Sequence, residues 1–328
     1  MSFNWFHIIH AVMMALAFVT YKAHASDIDA NFDGRLEVPS ASILFHTRDE
    51  MHARRVLGIL EQAVQLVGQR LPYSDGKVTA YLYGSDDEMV QGLTTVLGYT
   101  PTEVNAVLKV GISEQSNNTL HLHPKTAAWG SFLSHAIVDE HTHGVIQNKY
   151  GTGPAKSATW IEEGLTSYIA HEVLVDKLKD FEDTYPERRF KVAFRALIFG
   201  DLPKLDDVST RNQWYSNIIE SHEAWNAQYA LAYFCVSYLV SNYGFESVLN
   251  ILSDVKKGLP YKDSLENVTG IALDDFEHSM RISLLYTGVF HLYMKYIALI
   301  LAGLTITFAM FVYHTRGVRR RKRIGSEV

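Results

Sequence analysis

The chain has 328 residues, 47% hydrophobic and 20% charged, an ordinary globular balance with enough length for one large domain or two modest ones. Its formal net charge is −6, and about −12 once the basic C-terminal tail and Lys22 are set aside, which excludes nucleic acid as a partner. Cys235 is the one cysteine, so no disulfide forms within the chain, and it is expected to pack as a small apolar side chain.

At the amino end, residues 8–19 form a short apolar run interrupted by His10, and Ala23-His24-Ala25 follows as a small-x-small cleavage pattern. This predicts a signal peptide over 1–25, cut before Ser26. Residues 1–7 carry no Lys or Arg, so an uncleaved anchor is the alternative. The segment 26–286 then reads as one exported domain, with a mixed α/β part at 26–128 and a helical part at 129–286. Strands are expected at 43–47, 77–83, 105–112 and 119–123, the last two joined by the turn-rich 113–118, with a helix at 48–70. Helices are expected at 131–150, ending at Gly151, and at about 157–180, 187–199, 223–243, 247–257 and 273–285. The acidic pair Asp206-Asp207 reads as a loop, and the aromatic run at 225–243 follows helical spacing and reads as core.

At the carboxyl end, 296–313 is free of charge and flanked by Tyr296 and Tyr313. Arg316, Arg319, Arg320, Arg321, Lys322 and Arg323 follow at once. That order predicts a transmembrane helix within 287–314 and a basic cytoplasmic tail at 315–328. The chain is therefore expected to be a single-pass cytoplasmic-membrane protein with its main domain periplasmic or extracellular.

The chemistry is concentrated in AIVDEHTHGVIQNKY, where Asp139, Glu140 and His143 form an H-E-x-x-H string whose first histidine is an aspartate. Positions four apart share a helix face, so Asp139 and His143 can address one metal ion. Glu140, about 100° further round, can hold a water beside it. Twenty residues after His143 comes WIEEGLTSY, able to deliver a third, carboxylate ligand from a second helix. His135, one turn before Asp139, is a substitute ligand or a hydrogen-bond partner for that carboxylate, and His141 is expected to face solvent. His121 and His123 alternate on one strand face, which reads either as an edge strand that pairs with an extended peptide or as a half-exposed polar face.

WIEEGLTSYIA resembles the W-L-x-E-G-x-A-x-Y element of gluzincin zinc metallopeptidases, including the peptidase MA-like proteins, and the likeness continues through YALAYFCVSYLVSNYGFESVLNILSDVKKG and SLENVTGIALDDFEHSM. It covers roughly 119–281. The resemblance implies an α+β zincin-like fold, a mixed sheet followed by a helical half, and hydrolysis of a peptide or protein substrate. It also implies one Zn2+ ion bound by Asp139, His143 and Glu163, with Glu140 as general base. Glu162, rotated by about 100° from Glu163, is expected to face elsewhere. A tyrosine that donates a proton or binds the oxyanion is implied on a later helix, with Tyr229 the best-placed candidate beside Tyr215 and Tyr233.

Asp139 is the departure from that pattern. An aspartate reaches less far than a histidine and offers a hard oxygen at about 2.0 to 2.2 Å from zinc. Two carboxylates and one imidazole neutralise the ion and raise the pKa of its water, and they tilt preference toward Mn or Fe while His143 keeps zinc first. The same departure fits two rival expectations: a catalytically inactive binding or scaffolding module that has lost the metal, and a metal-binding protein without turnover. The sequence sets no oligomeric state.

Overall fold

The computed structural model describes residues 29, 31–72, 76–110, 114–116, 118–123, 125, 132–151, 158–174 and 185–324. The expected signal peptide lies outside them. Two compact units divide the chain, one ending at His278 and one beginning at Ser279.

The first unit opens with strands β1 (Gly34–Glu37) and β2 (Ala41–Phe45), then helix α1 (Glu50–Arg70), β3 (Val78–Leu82), α2 (Asp86–Thr95), α3 (Pro101–Val110), β4 (Glu114–Ser116) and β5 (Thr119–Leu122). The strands form one mixed sheet in the order β1-β2-β3-β5-β4. β2, β3 and β5 run parallel, with Ala41 opposite Val78 and Thr79 opposite Thr119, and β1 and β4 pair antiparallel at the two edges. Every residue of β2 is buried, the pattern of a strand covered on both faces. One covering element is α1, whose Ala53, Val56, Leu57, Leu60, Ala63 and Val67 make a single apolar stripe. On the far part of the sheet, Tyr81 and Tyr83 pack with Met89 and Leu93 of α2 and Val104 and Val107 of α3.

Residues 105–112 do not form the expected strand. Thr100 and Glu103 cap α3 reciprocally, Glu103 Oε2 accepting from the Thr100 amide at 2.8 Å and the Thr100 hydroxyl accepting from the Glu103 amide at 3.4 Å. Pro101 then occupies the first helical position, where its missing N–H costs nothing. The start signal prevails over the alternation of NAVLKV.

Among the described residues eight further helices follow: α4 (Phe132–Tyr150), α5 (Thr159–Leu174), α6 (Tyr185–Phe199), α7 (Arg211–Glu220), α8 (His222–Tyr243), α9 (Phe245–Lys256), α10 (Tyr261–Thr269) and α11 (Leu273–Ile324). α5 is packed between α4 and α8. Its crossing with α8 is close because Gly164 has no side chain: a methyl there would overlap the Ala232 carbonyl and reach Val236 Cγ2 at 2.7 Å. Trp160, at the start of α5, is fully buried with its ring 6.4 Å from Phe276. Asp206, expected in a loop, sits in a 3-10 turn and accepts hydrogen bonds from Tyr261 and Lys262 at 2.6 and 2.7 Å. Cys235 is buried, as expected.

Two expectations about the fold are corrected. The molecule is dominated by helices, and its sheet is small, with strands of three to five residues, so an α+β zincin-like architecture does not describe it. The short closing helix expected at 273–285 instead runs on to Ile324 as α11, yet no helix among the described residues is long and apolar enough to cross a membrane. The charge-free stretch of 18 residues reaches about 27 Å at 1.5 Å per residue, short of the roughly 30 Å hydrocarbon core.

Candidate functional site

On α4, Asp139, His143 and Gln147 stand one helical turn apart and so form a stripe on one face. α5 lies across it, held there by the Gly164 contact with α8, and presents Glu162, Glu163 and Thr166. Both glutamates fall near the amino end of α5, where the helix dipole favours carboxylates.

The two stripes meet at the His143 ring. Asp139 Oδ2 stands 3.8 Å and Glu163 Oε2 3.5 Å from Nε2, and the Thr166 hydroxyl is 3.3 Å from the same nitrogen. The other ring nitrogen, Nδ1, is 3.2 Å from Glu162 Oε1, which also accepts from Gln147 Nε2 at 3.1 Å. The four side chains are only 9 to 16% exposed, so their charges interact with little screening by water.

Electrostatics follow from that crowding. Burial pushes the Asp139 carboxyl up to about 6, aided by Glu163 and opposed by the charge of His143. Burial works to lower His143, but Glu163, Glu162 and Asp139 together hold it well above the usual histidine range. Burial works to raise Glu162, but the hydrogen bond and charge of His143, with Gln147 and Arg211, bring it below the usual range. As it stands, the cluster is an imidazolium gripped by carboxylates on both edges.

Glu140 is buried on α4, next to Asp139. Tyr229 on α8 is half-buried, edge-on to Trp214 and Trp225 at 4.9 and 5.9 Å, with the Arg189 guanidinium of α6 over its ring at 5.5 Å. Desolvation raises its phenol well above the ordinary value, and the charges of Glu163 and Asp139 add to this. Of the alternatives, Tyr215 accepts from Arg211 at 3.0 Å, and Tyr233 packs with Tyr168 and His171.

As the side chains stand, no group of three or more His, Cys, Asp or Glu among the described residues is arranged to hold a metal ion. The separations at Nε2 are nonetheless close to the edge of a tetrahedron built on zinc bonds of about 2.1 Å, which is about 3.4 Å. Asp139 Oδ1, moreover, is buried without a hydrogen-bond partner among the described residues. A buried carboxylate oxygen left in that state is costly, and a cation beside it removes the cost. A zinc ion bound there would require the three side chains to move from this arrangement.

Several expectations change. Glu162 does not face elsewhere but grips Nδ1 of His143. His141 does not face solvent: it is buried, and burial pushes its pKa down to about 4. His135 is buried too, its pKa held at about 3 by burial, Arg189 and His171. β5 is not an edge strand, because β4 pairs with it, and His121 within it and His123 just after it are both buried. His121 Nδ1 lies 2.7 Å from the Tyr83 hydroxyl and His123 Nε2 3.3 Å from Asp86. Gln147 and Thr166 were missed in the sequence, although Gln147 repeats the spacing of Asp139 and His143 once more and Thr166 lies one turn beyond Glu163.

No protein family, curated protein or solved structure matches the chain.

Proposed function

We propose that this protein is a zinc-dependent hydrolase of peptide bonds, with Asp139, His143 and Glu163 holding one ion and Glu140 serving as general base. The observation that supports it is the convergence of two buried carboxylates on one nitrogen of His143, at 3.8 and 3.5 Å, beside an Asp139 oxygen that has no hydrogen-bond partner among the described residues. When bound, zinc would polarise the scissile carbonyl and bring the pKa of a water toward 7. Glu140 takes the proton from that water and passes it to the leaving amine. Tyr229 keeps its phenolic proton and donates a hydrogen bond to the developing oxyanion. The reading includes a place outside the cytoplasmic membrane, with the apolar stretch 296–313 and the basic residues behind it holding the chain to lipid.

One observation favours a second reading. The ion pairs of His143 already close the cluster with a proton in place of a metal, which suits a binding or scaffolding module without turnover. Elemental analysis of the purified full chain separates the two. The hydrolase reading expects about one zinc per chain, lost in Glu163→Ala and kept in Glu140→Gln, with peptide hydrolysis abolished in both. A parent that takes up no zinc from a stoichiometric supply sinks the hydrolase and leaves the module.

A further inference from the structure

We propose that the outward face of α6 is a docking surface for anionic lipid headgroups, giving the first unit its own contact with a bilayer. This contact is separate from that of 296–313 and involves none of the residues proposed to hold zinc. Arg188, Lys191 and Arg195 follow one another at spacings of three and four, so the cations line one face of the helix, and all three are exposed. The other side of α6 is committed to the interior: Ala193 and Ala196 are buried, and the Phe190 ring lies 6.1 Å from that of Phe234 on α8. A shallow hollow of about 320 Å³ runs along the cationic face, lined by Glu187, Arg188, Lys191, Val192 and Arg195. Glu187 pairs with Lys191 at 2.6 Å, but the two side chains are 59 and 69% exposed, and a pair so open to water is worth little and gives way to another anion.

The chain as a whole carries −6, so this face draws an anion by its local charge and against the net field. The apolar groups beside it choose among anionic partners. α6 ends in Ile198 and Phe199, three and four residues beyond Arg195 and therefore on the cationic side. They are 53 and 70% exposed, and the Arg195 guanidinium lies over the Phe199 ring at 5.9 Å. Among the described residues of the first unit, the other large apolar side chain left exposed is Met51. An acidic protein segment would satisfy the cations and leave Ile198 and Phe199 in water. A bilayer satisfies both, because headgroup phosphates meet the cations while the apolar pair enters the boundary with the acyl chains.

The test places the full chain in vesicles of phosphatidylcholine, alone or mixed with phosphatidylglycerol. Phe199→Cys and, as the control, Met51→Cys each carry an environment-sensitive fluorophore, and Cys235 is buried and stays unlabelled. Acrylamide quenching reports how open each label is to water. With phosphatidylglycerol the label at 199 should shift to the blue and lose quenching, while the label at 51 stays open. Arg188→Gln, Lys191→Gln and Arg195→Gln should each lower the ratio of shielded to open label about fivefold, the equivalent of about 1 kcal/mol per cation at an anionic surface. Added salt should lower it without any substitution, by screening the same charges. Equal quenching at 199 in the two lipid mixtures overturns the proposal, as does shielding that ignores both salt and the glutamine variants, or that appears equally at 51. Shielding at 199 by soluble polyglutamate but not by phosphatidylglycerol assigns the face to an acidic protein and overturns the lipid contact.

Discussion

His121 on the sheet and His143 between the helices are both sealed from water, yet their surroundings drive them to opposite charge states. His121 stacks on Tyr81 at 5.2 Å and meets the hydroxyls of Tyr83 at 2.7 Å and Thr119 at 3.2 Å. Burial pushes its pKa down to about 3 and the ring stays neutral. His143 pays the same desolvation but has Asp139, Glu162 and Glu163 within 3.8 Å, and they hold it well above the usual range. Burial alone thus says little about a histidine. The acids facing it decide whether it becomes core or chemistry.

The largest effect should come from removing the ring that the acids share. His143→Ala leaves three carboxylates buried without their cation and should cost about 3 to 5 kcal/mol by urea unfolding in chelator-treated buffer. A loss under 1 kcal/mol would mean that the acids are already protonated and that the contrast with His121 is false. Next comes the packing that brings each histidine its neighbours. Gly164→Ala drives a methyl into the Ala232 carbonyl, a rigid backbone group, and should cost about 1 to 3 kcal/mol. Gly92→Ala would collide with the hydroxyl, Cζ and Cε1 of the buried Tyr83, a side chain and not backbone, so it should cost less by the same thermal or urea measurement. Equal losses would show that the two regions are equally rigid.

The smallest effect is a slope. The folded pKa of His121 lies below the unfolded value, so between about pH 6.5 and 3 the unfolded chain binds more protons and stability falls as pH falls, by up to about 1.4 kcal/mol per pH unit. His121→Gln should flatten the dependence of unfolding free energy on pH in that window by up to this amount. An unchanged slope would show that His121 is not buried neutral. For His143 the sign is reversed, its contribution being full below pH 6.5 and lost as pH rises through its raised folded pKa.

Much of the helical half is legible in the sequence because its start and stop signals are strong: α4 ends at Gly151 as expected, and α8 ends at Gly244, whose φ is 86°. The site was read less completely, for a geometric reason. Residues one apart on a helix point about 100° apart, which suggested that Glu162 and Glu163 could not serve one partner. That holds for a partner with one acceptor or donor point, but an imidazole has two, and the ring of His143 is wide enough to receive both glutamates. The buried state of His121 and His123 was hidden because a strand of three residues, β4, leaves almost no sequence signature, so β5 looked like an edge. The continuity of α11 was missed because the helix expected at 273–285 and the span expected within 287–314 were read as separate, with Gly288 at their junction, and the helix runs through it.

The second unit carries a cost in solubility. Along α11, Ile300, Leu304, Phe308 and Phe311 are each 60 to 68% exposed, and nothing polar covers the positions between them apart from Thr305 and Thr307, whose hydroxyls bond back to Leu301 and Gly303 of their own helix. A helix apolar on every side recruits detergent, lipid or other copies of itself when placed in plain buffer. The purified chain will therefore run as a particle larger than 37.1 kDa and disperse only with an amphiphile.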